Sequence, residues 1–214
     1  MKIFTNPGHT MRGKGTGAKG HICESTENRI MVDLVNEYLK KGGAFVKTAK
    51  VDEANNYLEL QVRHANNAGS MDVVVQIHFN AGGGVGTEVL YTSSKGKVFA
   101  ERVVKELSKH FKNRGAKKRT DLYWLNKTKS PSILIEVCFV DSKSDTDYYK
   151  SNKRAIAKSI AEGIIGKEIR EEPSQADIIY QVVLGSYRVK ENANDELSLA
   201  KSKGFKDAFI QVKK

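Results

Sequence analysis

Short apolar runs bounded by turn residues alternate along residues 1–167 with longer segments whose apolar positions recur every three or four residues. The short runs predict strands at residues 2–5, 44–50, 71–77, 87–92, 122–125 and 132–137. The longer segments predict amphipathic helices at residues 25–42, 57–68, 97–114 and 153–165. Because strands that alternate with helices favour a sheet covered on both faces, we expect an α/β fold, a three-layer sandwich with a mostly parallel central sheet.

The pattern changes at Glu168, where a polar stretch over residues 168–177 predicts a linker. Residues 178–214 then read as strand, helix and strand, which predicts a small C-terminal βαβ unit. A unit of this size is near the lower limit of independent stability, and its sheet has an open edge. We therefore expect it to pair with a copy in another chain, giving a homodimer, or to dock on the first domain. A truncated remnant without a binding role is the alternative.

Charge narrows the class of partner without choosing one. The chain has 214 residues and a formal net charge of +11, which favours a polyanionic partner such as nucleic acid or a bacterial wall with acidic polymers. The basic residues are scattered among acidic ones and form no long basic block, which argues against a nucleic-acid tail. A charge that only maintains solubility is the remaining interpretation.

Four polar side chains fall near the ends of predicted strands, where open α/β sheets bind ligands. His9 follows the first strand, His78 directly follows the third, Glu136 ends the last, and Glu24 lies at the start of the first helix. Two histidines and one glutamate form a common catalytic zinc set. A second carboxylate can move protons between a water molecule and a leaving nitrogen. Zinc at His9, Glu24 and His78, with Glu136 as the proton carrier, is therefore one interpretation of the pattern. The alternative is that the histidines are ordinary surface or core residues and that Glu136 makes a hydrogen bond or a salt bridge.

The sequence leaves alternatives at this site. Glu27 lies one helical turn from Glu24 and is a second candidate ligand, and His21 lies three residues before Glu24. The glycine-rich stretch at residues 13–20 lacks the spacing of a phosphate-binding loop and is interpreted as a mobile loop. Cys138 would suit a thiol hydrolase, although a buried, inert cysteine is the preferred interpretation.

Several segments around these residues have the order and spacing of one family's motifs. They are residues 6–9 (Asn-Pro-Gly-His), 24–28 (Glu-Ser-Thr-Glu-Asn), 76–80 (Gln-Ile-His-Phe-Asn), 86–89 (Gly-Thr-Glu-Val), 113–115 (Asn-Arg-Gly) and 131–139 (Pro-Ser-Ile-Leu-Ile-Glu-Val-Cys-Phe). Over residues 1–167 the chain thus resembles the zinc-dependent N-acetylmuramoyl-L-alanine amidases of the amidase type 3 family. That family usually has aspartate where Asn6 stands, serine where Gln76 stands and glycine where Cys138 stands, so the departures fall beside the predicted ligands.

The resemblance implies one zinc ion per chain, held by His9, Glu24 and His78, with Glu136 as the catalytic general base and acid. The implied reaction is hydrolysis of the amide between the lactyl group of N-acetylmuramic acid and L-alanine. It implies bacterial peptidoglycan as partner, with no nucleic acid and no membrane. A catalytically silent wall-binding protein and a zinc hydrolase of another amide are the alternatives.

Two further residues and the cellular location complete these expectations. Asn80 and Arg63 are candidates for orienting the substrate.

No apolar run approaches the ~20 residues of a membrane-spanning helix, and the apolar segment at the N-terminus is too short for a signal peptide. We therefore expect synthesis in the cytoplasm and action at the wall after release through a holin pore or by lysis, as for an endolysin or autolysin.

The C-terminal unit resembles a second family. Residues 180–187 and 200–210 resemble the two strand motifs of the sporulation-related repeat, whose modules bind peptidoglycan glycan strands. Such a module normally contains two βαβ units, and this chain has one. The resemblance implies a wall-binding or oligomerisation role for residues 178–214.

Overall fold

The structure, a computed structural model, describes residues 1–170 and 182–212. The strands are β1 (Lys2–Pro7), β2 (Phe45–Thr48), β3 (Val73–Asn80), β4 (Thr87–Tyr91), β5 (Asn113–Lys118) and β6 (Ser132–Phe139). The helices are α1 (Glu24–Lys41), α2 (Tyr57–Asn67), α3 (Ser94–Leu107), α4 (Tyr123–Lys127), α5 (Lys143–Ile165) and α6 (Lys190–Ser202). The chain divides into two compact units, Met1–Glu171 and Glu172–Lys214.

The first unit contains one six-stranded sheet in the order β2-β1-β3-β6-β4-β5. All neighbouring strands are parallel except β4 and β6, which are antiparallel. The mostly parallel sheet predicted from the sequence is therefore confirmed. Because β1, β3 and β6 run in the same direction, their carboxyl ends lie at one edge of the sheet, and β4 and β5 begin at that same edge.

Helices cover both faces of the sheet, as the apolar strands require. Alternate residues of β3 point to opposite faces. Val75 and Ile77 belong to the larger core, which includes residues of α1, α3 and α5. Val74 belongs to a smaller core on the other face, with Val62 of α2 and Trp124 of α4. The first unit is thus a three-layer sandwich.

Three sequence predictions differ from the structure. The helix predicted over 97–114 ends at Leu107, and β5 follows it; this edge strand is polar (Asn-Arg-Gly-Ala-Lys-Lys) and carries no apolar run that would predict it. The segment predicted as extended at 122–125 lies largely in the short helix α4, since a brief apolar run does not separate helix from strand. Helix α5 begins at Lys143, where Ser142 caps its first turn by accepting from the Asp145 backbone N–H. A kink at Asn152 divides it, so the helix predicted over 153–165 is its second part, and the part before the kink was not predicted.

In the second unit the predicted helix is present as α6, whereas residues 182–187 and 207–212 are not in strands. Residues 178–181 of the predicted first strand lie outside the described residues. Val182 and Phe209 are 88% and 70% exposed, so the described residues leave these apolar side chains largely uncovered. The βαβ arrangement therefore stays a prediction that requires a partner.

Within the described ranges, the helices all lack the combination of length and apolar character needed to cross a bilayer.

Candidate metal centre

His9, Glu24 and His78 come from three distant segments and meet at the edge of the sheet where β1 and β3 end. One ligand atom from each lies within 4.8 Å of the others. Glu24 Oε1 is 3.2 Å from His9 Nε2 and 3.0 Å from His78 Nδ1. Around a tetrahedral zinc ion with bonds of about 2.0–2.1 Å, ligand atoms are about 3.3 Å apart. The donor set is one that zinc takes, and the two distances from Glu24 match this spacing.

The end of β1 presents the His9 ring through a sharp backbone turn. His9 has φ of 63°, in the left-handed region that is uncommon for residues other than glycine and is found at functional sites. Its Nδ1 lies 3.0 Å from the carbonyl oxygen of Gly15, which leaves Nε2 directed at Glu24. A side chain on the preceding Gly8 would place Cβ 2.2 Å from the His78 ring. Glycine at this position allows both histidines to share the site.

A buried amide network holds the His78 ring. Its Nε2 lies 3.1 Å from Gln76 Oε1, so the ring donates to Gln76 from Nε2 when Nδ1 carries the lone pair that faces Glu24. Gln76 Nε2 donates in turn to Asn6 Oδ1 at 2.9 Å and Gln61 Oε1 at 3.1 Å. Asn6 and Gln76, two positions where the chain departs from the family motif, thus bond directly to each other.

Glu24 enters the site as the first residue of α1. Burial would raise the pKa of its carboxyl, but hydrogen bonds and charges from His78 and His9 hold that pKa well below its ordinary value. Its Oε2 accepts from the Ala18 backbone N–H at 2.9 Å. A side chain on Gly17 would bring Cβ to 2.8 Å from the same oxygen. The glycine-rich loop therefore packs directly against the ligands.

Glu136 lies beside this group on β6, where its Cα partners are His78 on β3 and Glu88 on β4. Its Oε2 is buried and has no hydrogen-bond partner among the described residues. Burial, with added repulsion from the carboxylates of Glu24 and Glu88, raises the pKa of Glu136 to about 8. The site thus contains a carboxyl whose free oxygen can accept or donate a proton near neutral pH.

The two alternative ligands lie elsewhere. Glu27 accepts from the Tyr149 hydroxyl at 2.8 Å and from Lys153 Nζ at 2.7 Å, in a contact between α1 and α5. His21 is exposed, and its backbone N–H donates to Val140. Neither belongs to the group of side chains that can share a metal ion in the described part of the chain.

The two predicted substrate contacts differ. Asn80 lies two residues after His78 on the same face of β3, and its Nδ2 donates to Glu88 Oε1 at 3.3 Å. Arg63 is exposed on α2 and has no hydrogen bond or ion pair within the described ranges, so its role in orienting the substrate stays a prediction. Cys138 is fully buried, and burial raises the pKa of its thiol above the ordinary value, so it does not supply a thiolate.

Sequence reasoning missed a basic cluster at the same edge. Arg114 Nε donates to Glu88 Oε2 at 2.8 Å, and Lys117 Nζ donates to the same oxygen at 2.6 Å. Both cations lie on β5, which the sequence did not predict as a strand. The Arg-Gly motif at residues 114–115 was the available signal.

Comparisons with known proteins show the family and the fold of the first unit. A family model described as N-acetylmuramoyl-L-alanine amidase matches residues 3–166. An uncharacterized protein of Clostridium perfringens (strain 13 / Type A) is 35% identical over 91% of this chain, which spans only 61% of that protein's length. The N-acetylmuramoyl-L-alanine amidase CwlM of Bacillus licheniformis is 30% identical, over 98% of this chain and 84% of CwlM. The solved catalytic domain of the CD27L endolysin, which targets Clostridia Difficile, is similar with a TM-score of 0.74 and 34% identity, over 79% of this chain and 99% of that domain.

Proposed function

We propose that this chain, which belongs to the N-acetylmuramoyl-L-alanine amidase family, hydrolyses the amide between the lactyl group of N-acetylmuramic acid and L-alanine in bacterial peptidoglycan. The observation that carries the proposal is the meeting of His9, Glu24 and His78 beside the unpartnered carboxyl oxygen of Glu136. The protein acts at the cell wall, as its endolysin and amidase relatives suggest.

The proposed cofactor is one zinc ion per chain. His9 Nε2, His78 Nδ1 and Glu24 Oε1 would hold it, since these atoms face one another. Burial lowers the pKa of His78, which favours the neutral ring that a metal requires, whereas in the metal-free protein the hydrogen bond and charge of Glu24 outweigh burial and raise the pKa of His9. Glu24 is anionic. Zinc, when bound, supplies a Lewis acid that makes water nucleophilic near pH 7 and polarises a carbonyl group.

Glu136 is the proposed general base and acid. Its carboxylate takes a proton from the attacking water molecule and gives it to the departing nitrogen of L-alanine, so the carboxylate is regenerated in each turnover. The free Oε2 supports this role because it has no competing partner in the described part of the chain.

Digestion of purified peptidoglycan tests the proposed function. We expect free stem peptides that begin with L-alanine, and we expect a chelator to abolish their release and added zinc to restore it. Mass analysis of the soluble products is the measurement. New reducing sugar ends in place of these peptides would show cleavage of the glycan instead, and binding without any product would favour a silent wall-binding protein.

The amide network leads to a prediction about metal affinity. Replacing Gln76 with leucine removes the acceptor for His78 Nε2 and should weaken zinc binding by about 10–100-fold, as loss of an outer-shell partner does. Competition with a chromogenic chelator measures the affinity. The matched control is Asn36→Leu, which removes a buried amide that bonds to Thr5 and Thr48 away from the site. An equal loss of zinc affinity in both variants would contradict the role given to Gln76.

The C-terminal unit is proposed to bind wall glycan or to pair two chains. Several of its apolar side chains are exposed in the described residues, which is consistent with a missing partner. Light scattering on the full chain and on residues 1–170 tests the pairing: we expect a dimer for the first and a monomer for the second. Two monomers would exclude pairing and leave glycan binding as the proposed role.

A further inference from the structure

The basic cluster formed by Glu88, Arg114 and Lys117 contains two cationic side chains and only one carboxylate. Arg114 and Lys117 both bond to one oxygen of Glu88, a residue that is only 8% exposed. Two cations share one carboxylate, which leaves a net positive charge at this edge. The side chains of Arg114 and Lys117 remain 33% and 44% exposed, so the surplus charge is accessible to solvent.

The Arg114 guanidinium is held in place, but its contacts do not occupy all of its hydrogen-bond donors. Its Nε donates to Glu88, and its Cζ lies 4.9 Å from the centroid of the Phe139 ring beneath it. Its two terminal amino groups have no hydrogen-bond partner among the described residues. An ordered guanidinium with free terminal nitrogens presents the planar pair of donors that matches a carboxylate.

The cluster lies at a defined distance from the proposed reaction. Glu88 on β4 is the Cα partner of Glu136 on β6, and Arg114 is on the next strand, β5. With neighbouring strands ~4.8 Å apart, the two strand spacings from Glu136 to β5 amount to about 10 Å. One residue of extended peptide spans about 3.5 Å. Two residues therefore span about 7 Å, and the Arg114 guanidinium reaches back from β5 to Glu88 on β4, which shortens the remaining distance. A carboxylate on the second residue of a bound peptide is thus within reach of Arg114 when Glu136 is at the amide before the first residue.

We propose that Arg114, supported by Lys117, is a subsite for the free α-carboxylate of the second stem-peptide residue. This inference rests on the proposed function, since it takes the scissile amide to be at Glu136. In peptidoglycan the second residue is a glutamate linked through its side chain, and its α-carboxyl is either free or amidated. The subsite makes the chain select the free acid over the amide.

Two synthetic substrates test the subsite. Both are N-acetylmuramoyl tripeptides amidated at the C-terminus, and they differ only in a free or amidated α-carboxyl on the second residue. For the wild-type chain we expect KM to be about 10-fold lower for the acid, in line with one hydrogen-bonded charge pair. In Arg114→Gln we expect most of the KM preference for the acid to be lost, with a remainder supplied by Lys117. The readout is the ratio of KM for the acid to KM for the amide, in which any effect of the variant on Glu88 that both substrates share cancels. Arg114→Lys keeps the charge but not the paired donors, and should recover only part of the preference.

Arg154→Gln is the matched control. Arg154 is built in the same way, with an ion pair to Glu37 and its guanidinium 5.6 Å from the centroid of the Tyr38 ring, but it joins α5 to α1. We expect this variant to keep the full preference for the acid. Equal KM for both substrates in the wild type, or a preference that keeps its wild-type size in Arg114→Gln, would overturn the subsite. Failure of the wild type to cleave either substrate would instead overturn the proposed function.

Discussion

Replacing Glu136 with glutamine is expected to lower the rate of amide hydrolysis by about 10²–10⁴-fold, the usual contribution of a general base. Glutamine has nearly the same shape but cannot take a proton from water. Zinc content should be unchanged, because the three proposed ligand atoms belong to other residues. The measurement is the initial rate of stem-peptide release, together with metal analysis of the purified variant.

The stability of the same variant separates a lost base from a damaged fold. Burial raises the pKa of Glu136 from 4.5 to about 8. In the metal-free protein the ionised carboxyl is therefore unfavourable in the folded state, and wild-type stability should fall as pH rises from about 5 to about 8. Glutamine lacks this cost, so the metal-free variant should gain Tm relative to wild type over that window. Glu162→Gln, on α5 and away from the site, is the control for both readouts. Near wild-type hydrolysis by Glu136→Gln would contradict the base role.

The second large effect is expected at α1, where two glutamates one turn apart should behave differently. Glu24→Gln should reduce zinc affinity by more than the about 100-fold typical of an outer-shell partner, because it removes an anionic ligand. Activity should be lost with the metal. Chelator competition gives the affinity, and the peptidoglycan digest gives the activity.

Glu27→Gln is the matched control for that variant. Its carboxylate accepts from Tyr149 and Lys153, so replacement should lower the free energy of unfolding by about 1–3 kcal/mol without changing zinc affinity. Denaturant titration measures the stability. If Glu27→Gln lost zinc while Glu24→Gln retained it, the ligand assignment would be reversed.

The central elements of the fold could be predicted because buried strands are made almost entirely of apolar residues. Strands β3 and β6 are covered on both faces, so they read as continuous apolar runs. Their shared direction brings their carboxyl ends together, which is why His78 and Glu136 were expected to be close. His78 lies inside β3 rather than after it, a difference that changes neither its face nor its neighbours.

Edge and surface elements were predicted less well for the same physical reason. Among the described residues, strand β5 pairs with β4 alone, and it carries mainly polar residues, so nothing in its hydropathy distinguishes it from a loop or a helix end. The contacts of Arg114 depend on that strand and were missed with it. The bond between Asn6 and Gln76 joins residues 70 positions apart, and no local pattern contains such a contact.

The sequence by itself determined the mostly parallel sandwich and a short list of polar residues near its strand ends, because hydrophobic periodicity follows burial. It did not determine which glutamate of α1 faces the histidines. On a helix, residues three positions apart differ by about 60° in direction, and only the packing of α1 against the sheet and α5 directs Glu24 to His78 and Glu27 to Tyr149. The tertiary structure also decided the charged neighbours of Glu136, because the strand carrying Arg114 and Lys117 is placed by pairing with β4 and not by any pattern of its own.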